Sequence, residues 1–136
     1  MRRSVGQLAG KYPRYDFLAR EVDGRMQERL EFIRLAPGRI LDLGCSCGGS
    51  VAGLRQRFPA AWLFGLDAEP AMLRQVKGMP VVTARAQSLP LRAESVDLVW
   101  SNLLLHWLEE RASALAEIRR VLKPGGLFLF STLGPD

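Results

Sequence analysis

Histidine and cysteine are almost missing from this chain: one His, His106, and two cysteines, Cys45 and Cys47, in 136 residues. A protein zinc centre needs three or four such ligands at set spacings, so no metal site is expected. Cysteines separated by a single residue do not easily bridge each other, and they read as small loop residues kept reduced. No apolar run approaches the roughly 20 residues that cross a bilayer. The opening MRRSVGQLAG has no secretory apolar segment, so a soluble, cytoplasmic chain without membrane association is expected. No internal repeat and no low-complexity tract occurs. The 19 Lys and Arg exceed the 14 Asp and Glu by five, but the excess is spread out, without dense basic runs or interleaved aromatics. That pattern argues against a nucleic-acid partner and suits an acidic protein partner.

What is present is the composition of a folded protein, 48% hydrophobic, at the length of one domain. Leu18, Val22, Met26, Leu30 and Ile33 mark one face of a helix over residues 15 to 35, ended by Pro37-Gly38. RILDLG then reads as a buried strand running into a Gly-rich turn. Helices are expected from Ser50 to Phe58, from Ala71 to Val76 and over 111 to 122, the last stopped by KPGG. WLFGLD (62–67), MPVVTA (79–84), SVDLVWSN (95–102) and LFLFST (127–132) supply four more strands. Near-continuous apolar strands alternating with helices predict an α/β fold, a doubly wound, Rossmann-like parallel sheet of about five strands. Such sheets bind ligands beyond the carboxyl ends of their strands, where Gly44, Asp67, Ala86 and Asn102 should gather.

The turn after the first strand, LGCSCGGS, narrows the ligand. No Lys lies between Gly44 and Ser50, which excludes a phosphate-binding GxxxxGK[ST] loop. A dinucleotide GxGxxG would map to Gly44, Ser46 and Gly49, with serine where the backbone must approach the pyrophosphate. Asp42, two residues before the turn, is a poor neighbour for a pyrophosphate and a good one for a cation. S-adenosylmethionine carries a sulfonium and an ammonium against one carboxylate. The turn's N–H groups would take that carboxylate and Asp42 the ammonium. Asp67 would accept from ribose hydroxyls, or would simply cap the helix beginning near Pro70.

DLGCSCGG, LDAEPAML, AQSLPL, SVDLVWSNLLLHW and EIRRVLKPGG, in this order, resemble the class I S-adenosylmethionine-dependent methyltransferases over about residues 38 to 133. The resemblance implies S-adenosyl-L-methionine as cofactor, held by Asp42, Gly44, Cys45, Ser46 and Gly48 around its methionine part. It implies Asp67 and Ala68 at the ribose, Met72 against the adenine, Ala86 and Gln87 at the adenine edge, and Asn102 beyond the fourth strand. Two positions depart from the pattern: Ser46 replaces the middle glycine, and Arg85 stands where an acid commonly binds the adenine amino group. More narrowly, YDFLAREV, SLPLRAESVDLVWSNLLLHW and FSTLGPD resemble the malonyl-acyl-carrier-protein O-methyltransferases of biotin synthesis. Methyltransferase-fold assembly factors of respiratory complex I share much of this wording. Tyr15 would lie over the ligand if the N-terminal helix covers the site, or else it packs on that helix.

The narrower resemblance implies an enzyme that O-methylates a carboxylate on an acyl carrier protein. Such an acceptor is already an anion and needs no general base, so positioning and water exclusion would carry the reaction, worth up to roughly 7 to 11 kcal/mol. Ser101, Asn102, His106 and Trp107 are the candidates facing the methyl group, with His106 more readily a helix-surface or satisfied, partly buried side chain than a catalytic one. Members of the class usually continue through a β-hairpin after the fifth strand, whereas this chain stops at Gly134-Pro135-Asp136. The expectation is therefore one incomplete domain over 1–136, a helical segment 1–37 and an α/β core 38–133, whose bare last strand favours a homodimer through the sheet edge. The rival readings are a non-catalytic binding module or fragment of methyltransferase fold and, as a third, a NAD-dependent oxidoreductase.

Overall fold

A computed structural model describes residues 12–132, with side chains from residue 17 onward. Five strands, β1 (Arg39–Leu43), β2 (Trp62–Asp67), β3 (Val81–Thr83), β4 (Val96–Asn102) and β5 (Leu122–Ser131), form one sheet in the order β3-β2-β1-β4-β5. Every pairing is parallel, so the carboxyl ends of all five lie along one edge. The strand order reverses between β1 and β4, the place where open α/β sheets form a ligand crevice. Among the described residues β5 pairs only with β4, leaving an open edge with Phe130 exposed.

Four helices flank the sheet: α1 (Tyr12–Arg29), α2 (Val51–Arg57), α3 (Pro70–Leu73) and α4 (Arg111–Val121). The strands alternate their side chains between two cores. Leu41, Leu43, Phe64, Leu66 and Val99 meet Ala114, Ile118 and Val121 of α4 on one face. Ile40, Leu63, Leu98 and Trp100 meet Met26 of α1, Leu30 just beyond it, and Val51 and Leu54 of α2 on the other. Alternation therefore sends Asp42, like Ile40, to the side covered by α1 and α2.

Several expectations are corrected. The first helix begins at Tyr12 and ends at Arg29, followed by a 3-10 turn over Leu30–Phe32. Its covered face passes through Ala19, Asp23, Met26 and Leu30, while Leu18 is 37% exposed. The third helix is one turn long, ending at Leu73 ahead of Gly78, whose φ is +89°. KPGG does not stop α4, which ends at Val121. Lys123 to Gly126 instead form an irregularity inside β5, where Val96 pairs with Leu122 but Leu98 with Leu127. Pro124 lacks an N–H and Gly125 has φ +82°, so both suit a bulge. Tyr15 falls within α1, but its side chain lies outside the described residues, as do residues 1–11 and 133–136.

Candidate functional site: a buried carboxylate cleft

The crevice between β1 and β4 holds a small cavity of about 40 Å³, roofed by α1 and lined by Ala19, Arg20, Asp23, Asp42, Gly44 and neighbours from the turn and from β4. That space suits a few waters. Asn102, Leu103, Leu104 and Trp107 close it from the β4 side.

Asp42 is 2% exposed, and its Oδ2 has no hydrogen-bond partner among the described residues. A buried carboxylate oxygen without a partner is costly unless something positive or protonated meets it. Burial, then the charges of Asp23 and Asp67, pushes its carboxyl up from 3.8 to about 8. Asp23 comes from α1, where Ser50 Oγ donates to its Oδ1 at 2.5 Å. Ser50 in turn accepts from Trp100 Nε1 at 3.0 Å, a fully buried indole. Burial raises Asp23, and the bond from Ser50 opposes the rise. Sequence reasoning missed both Asp23 and Ser50. The signal was present, a carboxylate at position 23 inside the 19-26-30 stripe of small and apolar residues.

Asp67, at the end of β2, is buried and bonds to two backbone donors: Oδ2 accepts from Ser46 N at 2.8 Å and Oδ1 from Glu69 N at 2.8 Å. It thus secures both the turn and the approach to α3, and burial, ahead of those bonds, raises its carboxyl. Each oxygen keeps lone-pair capacity for a ligand hydroxyl. The expectation that the turn's N–H groups receive a ligand carboxylate is corrected in part. Gly44 N and Cys45 N bond to Leu66 O at 2.7 and 3.1 Å, and Gly48 N to Cys45 O at 2.8 Å. With Ser46 N on Asp67, four amides of the turn already serve the protein.

Gly44 has φ +71°, and its bare face is met by Leu104, whose Cδ atoms would stand 2.9 Å from an added Cβ. The close approach that the glycine permits is therefore made here by a leucine side chain. Cys45 is buried against Gly65 of β2, where an added Cβ would come within 2.8 Å of its sulfur. Burial, then the charges of Asp42 and Asp67, pushes the Cys45 thiol up, which removes it as a nucleophile and leaves its small size as its use.

Asn102 does not offer a free amide to the cavity. Its Nδ2 donates to Ala19 O of α1 at 2.8 Å, and its Oδ1 accepts from Ser131 Oγ of β5 at 2.7 Å. It ties the roof helix to the sheet. Ser101, one residue earlier, alternates to the face opposite Asp42 and is wholly buried. Trp107 reaches the cavity, whereas His106 does not line it; its ring lies tilted at 44° to that of Trp107, the centroids 4.8 Å apart, and both its nitrogens lack partners among the described residues. Burial, then Arg111, lowers the His106 pKa. Met72 and Ala86 are buried, Ala86 within the α4-side core, and with Ala68 and Gln87 they lie outside the cavity lining. The structure thus brings together Asp42, Gly44, Cys45, Ser46, Asn102 and Trp107, adds Asp23 and Ser50, and joins Asp67 to them through Ser46. Among the described residues no cluster of His, Cys, Asp and Glu suits a metal, and no helix is long and apolar enough to cross a membrane.

The family described as "Methyltransferase domain" matches residues 41–130. A protein of Methylovorus sp. (strain MP688) named malonyl-[acyl-carrier protein] O-methyltransferase is 41% identical, over 100% of this chain and 50% of its own length. One of the same name from Laribacter hongkongensis is 42% identical, over 100% of this chain and 51% of its own. The chain thus spans about half the length of these curated relatives. Among solved structures, an S-adenosylmethionine dependent methyltransferase from Mesorhizobium loti is 32% identical with a TM-score of 0.65, covering 75% of this chain and 49% of its own.

Proposed function

The chain belongs to the methyltransferase-domain family, and from that premise we propose that the β1/β4 cleft binds S-adenosylmethionine for methyl transfer to a carboxylate, that of malonyl-acyl-carrier protein in cytoplasmic biotin synthesis. The observation that carries this reading is Asp42: a buried carboxylate, its Oδ2 without a hydrogen-bond partner among the described residues, at the crevice of a parallel sheet, suited to a cationic ligand and hostile to a pyrophosphate. The names of the curated relatives support the acceptor.

The residues present fit the ligand in chemistry. Asp42 and Asp23 suit positive charge, and Asp67 has acceptor capacity for ribose hydroxyls. In volume they fit only with the cleft opened, because a nucleoside ligand needs several hundred Å³ against the about 40 Å³ beneath α1. Opening would require breaking the Asn102–Ala19 and Ser50–Asp23 bonds. Bound there, S-adenosylmethionine would supply an electrophilic methyl group. A carboxylate acceptor gives up no proton, so the work left to this chain is orientation and exclusion of water, in which Leu104 and Trp107 at the cavity wall serve.

Calorimetric titration tests the reading. S-adenosylhomocysteine should bind saturably, NAD should not, and Asp67→Ala should abolish binding without unfolding the protein. Absence of saturable binding to the folded chain refutes the reading. Binding justifies assay of malonyl-acyl-carrier protein as acceptor.

A further inference from the structure

The segment EIRRVLKPGG takes no part in lining the cleft. Its first and fourth residues, Glu117 and Arg120, stand three apart on α4 and so face the same way. Both reach across to the connection between β3 and β4. Glu117 Oε1 accepts from Leu89 N at 2.8 Å. Arg120 donates through Nη2 to Leu89 O at 3.0 Å and through Nη1 to Leu91 O at 2.8 Å. Arg120 Nε closes the pair on Glu117 Oε2 at 2.7 Å. Leu89 belongs to no strand and is buried, so its N–H and C=O must find partners, and two side chains of one helix supply them.

Immediately before Leu89 lies a β-turn, Arg85 to Ser88, closed by Ser88 N on Arg85 O at 3.1 Å. That bond does not use the N–H groups of its central residues, Ala86 and Gln87. The other end of the turn is also fixed, because Ala84 N donates to Asp67 O at 2.9 Å. A short turn held at both ends presents its central N–H groups in one direction.

We propose that Glu117 and Arg120 are positioning residues: from α4 they set the Arg85–Ser88 turn so that the N–H groups of Ala86 and Gln87 meet the base of a nucleoside whose ribose lies on Asp67. This rests on the reading of the cleft as the S-adenosylmethionine site. Arg85 has no acceptor for an adenine amino group, so discrimination of the base falls to main-chain donors. Such donors discriminate only as well as they are placed. Neither Glu117 nor Arg120 would touch the ligand.

The experiment compares S-adenosylhomocysteine with S-inosylhomocysteine, which share all but the base. Ring N1 is an acceptor in the first and carries a proton in the second. By calorimetry the wild-type chain should prefer the first by about tenfold or more, roughly the worth of one hydrogen bond. Arg120→Gln and Glu117→Ala should each cut that preference below about threefold by weakening S-adenosylhomocysteine alone. Glu117→Gln, which keeps an oxygen for Leu89 N, should retain more of it than Glu117→Ala. Asp97→Ala is the control, because Asp97 also holds main-chain donors, Gly38 N and Arg39 N at 3.0 and 2.9 Å, but at the amino end of the sheet. It should leave the preference unchanged whatever it does to the melting temperature. An unchanged preference in Arg120→Gln and Glu117→Ala, equal weakening of both ligands, or the same collapse in Asp97→Ala overturns the positioning role. Should Arg120→Gln fail to fold, the two Glu117 variants decide. A wild type that binds both ligands equally overturns this inference alone, whereas one that binds neither overturns the cofactor assignment with it.

Discussion

Replacing Asp42 with Asn tests the cleft's electrostatics without any ligand. The folded protein holds the Asp42 carboxyl protonated up to about pH 8, against an ordinary value of 3.8. Between these values the folded state binds a proton that the unfolded state has released, so stability must fall as pH rises through that window. Below it both states are protonated, and above it both are charged with the penalty fully present. At about 1.4 kcal/mol per pH unit over roughly four units, the penalty reaches as much as roughly 6 kcal/mol. Burial is its largest cause, followed by Asp23 and Asp67. Asn at this position has nearly the same shape and no charge. Urea unfolding across the window should show the parent losing stability toward high pH while Asp42→Asn loses much less. The variant should exceed the parent by a few kcal/mol near pH 8, with the gap closing near pH 4. A variant less stable than the parent at high pH, or a gap independent of pH, would refute the reasoning.

Gly44→Ala should destabilise by roughly 1 to 3 kcal/mol, combining a side chain at φ +71° with the Leu104 contact. In a double-mutant cycle with Leu104→Ala, part of that loss should return; strict additivity would show that Leu104 is not the obstacle. Arg120→Met removes donors to Leu89 O and Leu91 O at 3.0 and 2.8 Å and frees Glu117, which accepts from Leu89 N. Amide exchange at Leu89 should then accelerate while the β1 core amides keep their protection, and unchanged exchange at Leu89 would show that Arg120 and Glu117 do not hold this loop on α4.

Near-continuous apolar runs, each followed by a helical stretch, determine by themselves a parallel sheet with covered faces, because such strands are stable only when both sides are buried. That was legible from RILDL, WLFGLD and VDLVW, as was the crevice at their carboxyl ends. Asp42 could be singled out because a carboxylate within a buried strand has no local explanation. What tertiary structure alone decided was its company. Asp23 is near in space but nineteen residues away in sequence, and only docking of α1 puts it over β1. Asn102 reads as a ligand contact from its place at the carboxyl end of β4, yet packing brings Ala19 O and Ser131 Oγ within reach and uses both ends of its amide. KPGG reads as a helix stop by composition, but the β4 ladder continues past it and accommodates it as a bulge. Local sequence sets which backbone shapes are cheap; which polar atoms find partners, and which carboxylate is left without one, depends on elements far apart in the chain meeting where water has been excluded.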